Sequence, residues 1–191
     1  MIFIFIVMIY LLYYCLLDKD KFAKSWAMKK DKIIVKAPAT IANVSCGFDI
    51  LGLAIERPFD VVTLEKNDLS ELVISRIAPD HLDLPVDINK NTASVAVSAL
   101  LDSLDSSQGF DISIVKGVPA CGGMGSSAAS AAAAVFAVNQ LLGEPYSSMD
   151  LIQFAMEGER VAAGSAHADN VAPSILGGVS LIRSYDPLDI I

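Results

Sequence analysis

The sequence predicts a mixed α and β chain, and three observations carry that reading. Short runs rich in β-branched residues alternate apolar and polar over 32–40, 58–66, 71–77 and 110–119, the period of half-buried strands. The stretches 92–104, 126–142 and 148–163 carry apolar residues at helical spacing or a helix-favouring alanine run. A glycine cluster at 122–125 joins the strand at 110–119 to the alanine-rich helix.

The chain begins with seventeen residues, MIFIFIVMIYLLYYCLL, that carry no charge. Such a run sits at the short edge of what crosses a hydrocarbon core about 30 Å thick. A cleaved signal is disfavoured, because no positive n-region precedes the apolar run and no small-x-small site precedes Asp18. Two readings stay open. Either translation is assigned too far upstream and the working chain starts at Met28, or residues 1–17 are a membrane anchor. In the second case Lys19, Lys21, Lys24, Lys29 and Lys30 hold the remainder in the cytoplasm. Both readings place the body in the cytoplasm, with no membrane contact unless the anchor is real.

The body then reads in order. KIIVKAPAT (32–40) is a strand ending at Pro38, and Thr40–Gly47 is a small-residue turn into FDILGLAI. PFDVVTLEK (58–66) and ELVISRI (71–77) suit a hairpin around Asn67-Asp68-Leu69-Ser70. After a Pro- and Asp-rich connection at 79–90, Asn91 is placed to cap the helix 92–104. The helix 126–142 is closed by Gly143, and Ser147-x-x-Asp150 resembles a capping box for the next helix, which Gly164 ends. HADNVAPSILGG (167–178) reads as a loop with a short helical turn, and VSLIRSY (179–185) as a strand.

Charge and cysteine usage exclude several functions. The chain has 22 acidic and 14 basic residues, and without residues 1–27 the balance is 20 against 11. A body this acidic, with no basic patch, disfavours nucleic acid. Cys15, Cys46 and Cys121 are far apart and odd in number, which points to no disulfide framework and no zinc site.

The sharpest feature is Gly122-Gly123-Met124-Gly125-Ser126-Ser127-Ala128. A helix start leaves backbone N–H groups unpaired and carries roughly half a positive charge, so it takes an anion without a basic side chain. Glycines let the backbone approach a phosphate, and the two serine hydroxyls can bond phosphate oxygens or Mg²⁺. Three other motifs fall away. The dinucleotide fingerprint needs a second strand where a second helix follows, a Walker loop needs a lysine before the serine, and a nucleophile elbow needs G-x-S-x-G. The remaining alternative is a tight turn whose glycines serve packing alone.

This loop resembles the phosphate loop of the GHMP small-molecule kinases. Two further segments resemble the homoserine kinase branch: Val35 to Ala54, containing Asn43-Val-Ser-Cys-Gly-Phe-Asp49, and His167 to Gly178, containing Asn170. The resemblance spans about 33–191, with the three motifs in the family's order. Members often carry Asn-Leu-Gly-Pro-Gly-Phe-Asp and Gly-Leu-Gly where this chain has Asn43-Val-Ser-Cys-Gly-Phe-Asp49 and Gly123-Met-Gly125.

The resemblance implies an α+β fold: an ATP-binding N-terminal domain over 28–175, with the glycine-rich loop at a helix start, and the beginning of a second α/β domain over 176–191. It implies ATP and Mg²⁺ as cofactors and L-homoserine as the small-molecule substrate, phosphorylated on its side-chain hydroxyl on the way to threonine, and it leaves a homodimer open. By the same resemblance Asn91 and Gly122, Gly123, Met124, Gly125, Ser126, Ser127 and Ala128 bind ATP. Ser127, ahead of Ser126, holds Mg²⁺ with Glu159. Asn43, Asp49 and His167 bind the acceptor, and Asp49 and Asn170 are catalytic. Members run on into a second domain that supplies arginines for the acceptor carboxylate, so the 191-residue form is expected to be inactive or poorly soluble alone. Another acceptor, such as mevalonate, and a non-catalytic nucleotide-binding relative are the alternatives.

Overall fold

The computed structural model describes residues 25–44 and 46–191, so the apolar run at 1–17 lies outside the described residues. The strands are β1 (Ser25–Lys29), β2 (Lys32–Val44), β3 (Gly47–Asn67), β4 (Leu72–Ala78), β5 (Gly109–Val115), β6 (Val179–Tyr185) and β7 (Leu188–Ile190). The helices are α1 (Thr92–Ser103), α2 (Ser126–Leu141), α3 (Leu151–Ala163) and α4 (Ala168–Leu176). Among the described residues the sheet runs in the order β1-β2-β3-β5-β4, with β6 paired to the N-terminal part of β3 and β7 to β6.

The helices cover one face of this sheet. Ile33, Val35, Ala37, Val62, Leu64, Phe110, Ile112 and Ile114 alternate along β2, β3 and β5 and are buried beneath them. Helix α2 sits at the centre. Twelve of its residues are buried, seven of them alanines between Ala128 and Ala137, and small side chains let the sheet and the other helices approach it closely. That placement brings the start of α2, with its unpaired N–H groups, to the opening between the sheet and α3.

Most expected elements form. Asn91 caps α1 by accepting the Ala93 N–H at 3.0 Å, and Gly143 and Gly164 take left-handed φ values of 85° and 78° just beyond α2 and α3. Ser147 and Asp150 exchange bonds as a capping box does, the Ser147 N–H donating to Asp150 Oδ2 at 3.1 Å and the Asp150 N–H to Ser147 Oγ at 3.3 Å.

Three expectations are corrected. β2 does not stop at Pro38; it continues to Val44, and the expected turn over Thr40–Gly47 shrinks to the hairpin tip where Val44 pairs Gly47. Pro38 is tolerated because the register shifts between Pro38 and Thr40, where a missing N–H interrupts little. The strands 58–66 and 71–77 do not pair as a hairpin, because β5 enters between them, antiparallel to β3 and parallel to β4. Asn67 holds the split open, its Nδ2 donating to the Glu71 carbonyl at 3.1 Å and to Asp111 Oδ1 at 3.0 Å. Finally, 168–176 is a nine-residue helix despite Pro173. Burial of Ala168, Val171, Ala172 and Ile175, spaced three and four apart, outweighs the proline.

Candidate active site

A cleft of about 610 Å³ opens over the N-terminus of α2, walled by Gly122 to Ser127 on one side and by Asn43, Asn91, Lys116, Glu159 and Asn170 on others. Gly125 caps α2 at φ 62°, ψ 37°, a left-handed conformation that a glycine adopts freely. A side chain there would also overlap the Thr40 hydroxyl and lie 2.9 Å from Asn170 Oδ1, so the position is closed to anything larger. Ala128, fully buried in the first turn of α2, faces the core and does not line the cleft. Asn91 reaches the cleft wall, but its side chain is engaged in capping and in a 2.9 Å bond to the Pro85 carbonyl.

The two serines differ. Ser126 donates its hydroxyl proton to the Val118 carbonyl at 2.9 Å, whereas the Ser127 hydroxyl lies beside the Glu159 carboxylate and favours its charged form. Glu159 lies on α3, and Gly158 brings it there, because any Cβ at 158 would overlap the Thr92 carbonyl of α1. The Glu159 residue is only 8% exposed, and its Oε1 is buried with no hydrogen-bond partner. Burial raises its pKa above the ordinary carboxylate range and the neighbouring Asp169 adds to that, while Ser127, Lys116 and His167 pull it down. An orphaned buried carboxylate oxygen beside a serine hydroxyl suits a Mg²⁺ ion, which takes one or two protein oxygens and keeps its other positions for water and phosphate.

Two buried charges, Asp60 and Lys116, carry no motif that marks them in the sequence. Both continue the buried alternation of their strands, Asp60 with Val62 and Leu64 on β3 and Lys116 with Ile112 and Ile114 beyond β5, and a charge on that parity is the signal that could have found them. The Asp60 side chain is fully buried, pairs with Lys116 Nζ and accepts the Ser130 hydroxyl at 2.7 Å. Burial lowers the Lys116 pKa, outweighing the pull of Asp60 and Glu159 in the other direction.

The expected acceptor residues form a second cluster beside the cleft. Asn43 and Asp49, both at positive φ (58° and 60°), flank the β2–β3 tip, and Asn43 Oδ1 accepts the Asp49 N–H at 2.8 Å. His167, the residue before α4, has its Nδ1 3.7 Å from Asp49 Oδ1, an ion-pair separation too long for a hydrogen bond. Tyr185, also absent from the sequence reading, ties the cluster together: its hydroxyl donates to the Asp49 carbonyl at 2.8 Å and accepts the Ala168 N–H at 3.3 Å. Asn43 and Asn170 border the phosphate-loop cleft, while Asp49 and His167 stand outside its wall. Thr40 joins the two regions, its N–H donating to the Met124 carbonyl at 3.0 Å and its hydroxyl to Asn170 Oδ1 at 2.7 Å.

Among the described residues no helix is long and apolar enough to cross a membrane. Residues 91–178 match the family described as GHMP kinases N terminal domain. The chain is 50% identical over 165 residues to a homoserine kinase of Chloroherpeton thalassium, covering 81% of this chain and 52% of that protein. It is 41% identical over 164 residues to a homoserine kinase of Methanococcus vannielii, covering 86% of this chain and 54% of the relative. A crystal structure of homoserine kinase from Cytophaga hutchinsonii superimposes with a TM-score of 0.81 at 51% identity, over 88% of this chain and 53% of that one. The mevalonate kinase of Methanococcus jannaschii shares the fold at a TM-score of 0.60 and 18% identity. The chain thus spans about half the length of the curated relatives it matches. The glycine-rich loop that opens α2 above the mixed sheet lies inside the matched segment, and the chain is similar there to the GHMP kinases N terminal domain and, over most of its own length, to homoserine kinases.

Proposed function

We propose that this chain is the nucleotide-binding half of an ATP-dependent kinase that phosphorylates the side-chain hydroxyl of L-homoserine, a step towards threonine, in the cytoplasm. The single observation that carries the reading is the juxtaposition of two clusters. A phosphate-binding helix start and the Asn43–Asp49–His167 group meet at Asn170 and Thr40. The 50% identity to a homoserine kinase favours that acceptor over mevalonate, whose kinases share the fold at 18% identity.

In this mechanism the N–H groups of the loop and of the first turn of α2 bind the phosphates, helped by the positive end of the helix. Ser127 and Glu159 would hold Mg²⁺, which supplies charge neutralisation on the phosphates when bound. Asn91, at the cleft wall, flanks the nucleoside. Asn43 and Asp49 orient the amino-acid head and hydroxyl of the acceptor, His167 contacts it from the start of α4, and Asn170 lies beside the phosphoryl group in transfer. Phosphoryl transfer has a loose transition state, so positioning and charge neutralisation account for most of the rate. Asp49 is half exposed and acts chiefly by orienting the hydroxyl.

Residues 28–175 are proposed as the ATP-binding domain and 176–191 as the entry to a second domain that completes the acceptor site. The test is ADP release by a protein of the relatives' full length, offered homoserine, mevalonate, galactose and threonine. Turnover on homoserine supports the reading; turnover on mevalonate and not on homoserine overturns it.

A further inference from the structure

Beneath the phosphate loop lies a charged group that the mechanism above does not use. Asp60 is 0% exposed, yet both of its oxygens are fully engaged. Oδ1 accepts the Gly117 and Val118 N–H groups, each at 3.0 Å, and Oδ2 accepts Lys116 Nζ and the Ser130 hydroxyl. Lys116 in turn commits all three of its protons, to Asp60, to the Ser126 carbonyl at 2.7 Å and to Ser130 Oγ at 2.8 Å. The Ser126 hydroxyl closes the circuit on the Val118 carbonyl at 2.9 Å.

These bonds share one geometry. Residues 116–118 are where the chain enters the loop, and 126–130 are where it leaves into α2. One carboxylate and one ammonium therefore pin both ends of the loop, and 119–125 are suspended between them. The ion pair is nearly neutral as a unit, so it adds little net field at the phosphate site. With every proton of Lys116 already donated, the lysine has none left for a ligand unless the network breaks. What the network supplies is the separation and pitch of the loop ends, which set where the backbone N–H groups point.

We propose, resting on the nucleotide reading above, that Asp60 is a positioning residue for phosphate binding, acting through Lys116, Ser130 and the N–H groups of Gly117 and Val118. A merely structural ion pair would lower stability without regard to what occupies the cleft. A positioning role instead weakens the part of the ligand that the loop holds, which is the phosphates and not the nucleoside.

The experiment compares ADP and adenosine binding by calorimetry for the full chain and for three variants, with circular dichroism confirming that each is folded. Asp60→Asn removes the charge. Because that leaves Lys116 buried without a counter-ion, the double variant Asp60→Leu with Lys116→Met removes both charges and keeps the interior apolar. Ser130→Ala keeps the ion pair and deletes one shared bond. The expected result is a loss of about tenfold or more in ADP affinity for the double variant and about threefold for Ser130→Ala, with adenosine affinity held within about twofold. An unchanged ratio of ADP to adenosine affinity in the folded double variant and in Ser130→Ala would overturn the proposal. If the unaltered chain bound ADP no more tightly than adenosine, the nucleotide reading itself would fail, and this proposal with it.

Discussion

The Thr40 hydroxyl donates to Asn170 Oδ1 at 2.7 Å, joining β2 to α4 across 130 positions of sequence directly behind Gly125. Thr40 is fully buried and its own N–H reaches the Met124 carbonyl, so one residue touches both the phosphate loop and the helix that carries Asn170. The glycine-rich loop and α4 are therefore coupled through a contact that neither motif discloses alone.

Thr40→Val keeps the shape and deletes the hydroxyl. It is expected to lower stability by about 1 kcal/mol, the worth of one buried bond. Because Asn170 loses its fixed orientation, kcat in a full-length enzyme should fall about tenfold with a smaller change in the KM for ATP. Thr40→Ser should restore most of the rate. Steady-state kinetics beside a thermal melt separates the two effects.

Glu159→Gln removes the charge that burial disfavours. Turnover is expected to fall by roughly a hundredfold or more, in line with the loss of a metal-positioning carboxylate. Folding should not suffer. In the unliganded chain the native pKa of Glu159 is raised, so the native state binds more protons than the unfolded state between the ordinary carboxylate value and the raised one. Its contribution to stability therefore falls as pH rises through that window. Denaturant melts across the window should show the glutamine variant with a flatter pH profile and with equal or greater stability at neutral pH.

Tyr185→Phe deletes the hydroxyl that bonds Asp49 and Ala168. The KM for the acceptor should rise several-fold, about 1 kcal/mol, while the KM for ATP holds. Equal increases in both would assign Tyr185 to general stability instead.

Gly158→Ala places a methyl against the Thr92 carbonyl and 3.2 Å from the Ala131 Cβ. Forcing α3 away from α1 and α2 is expected to cost about 1–3 kcal/mol and to weaken Mg²⁺-dependent ADP binding, since Glu159 moves with the helix. A melt and a metal titration measure the two consequences.

Much of this fold is legible in local pattern. Asn91, Gly143 and the Ser147–Asp150 pair are read correctly because caps depend on residues within one turn of one another. The pairing of β5 between β3 and β4 is not legible, because adjacency in sequence favours the hairpin and only long-range burial of Phe110, Ile112 and Ile114 selects the inserted strand. The same holds for the site. The Gly123–Ser127 loop declares itself by composition, whereas Tyr185 and Thr40 contribute through contacts more than a hundred residues apart. Asp60 and Lys116 fall between these cases, since their strand parity marks them as buried but only the register that places Val61 opposite Val115 brings them together.

Whether the two clusters form one phosphoryl-transfer site for homoserine is decided by following the acceptor itself. Phosphorus NMR of a full-length enzyme with ATP, Mg²⁺ and L-homoserine should show a phosphate monoester on the homoserine side chain accumulating in step with ADP, and Asn170→Ala and Glu159→Gln should suppress it. ADP appearing with inorganic phosphate alone, or a monoester that forms equally well in both variants, would show that the two clusters do not act as one homoserine-phosphorylating site.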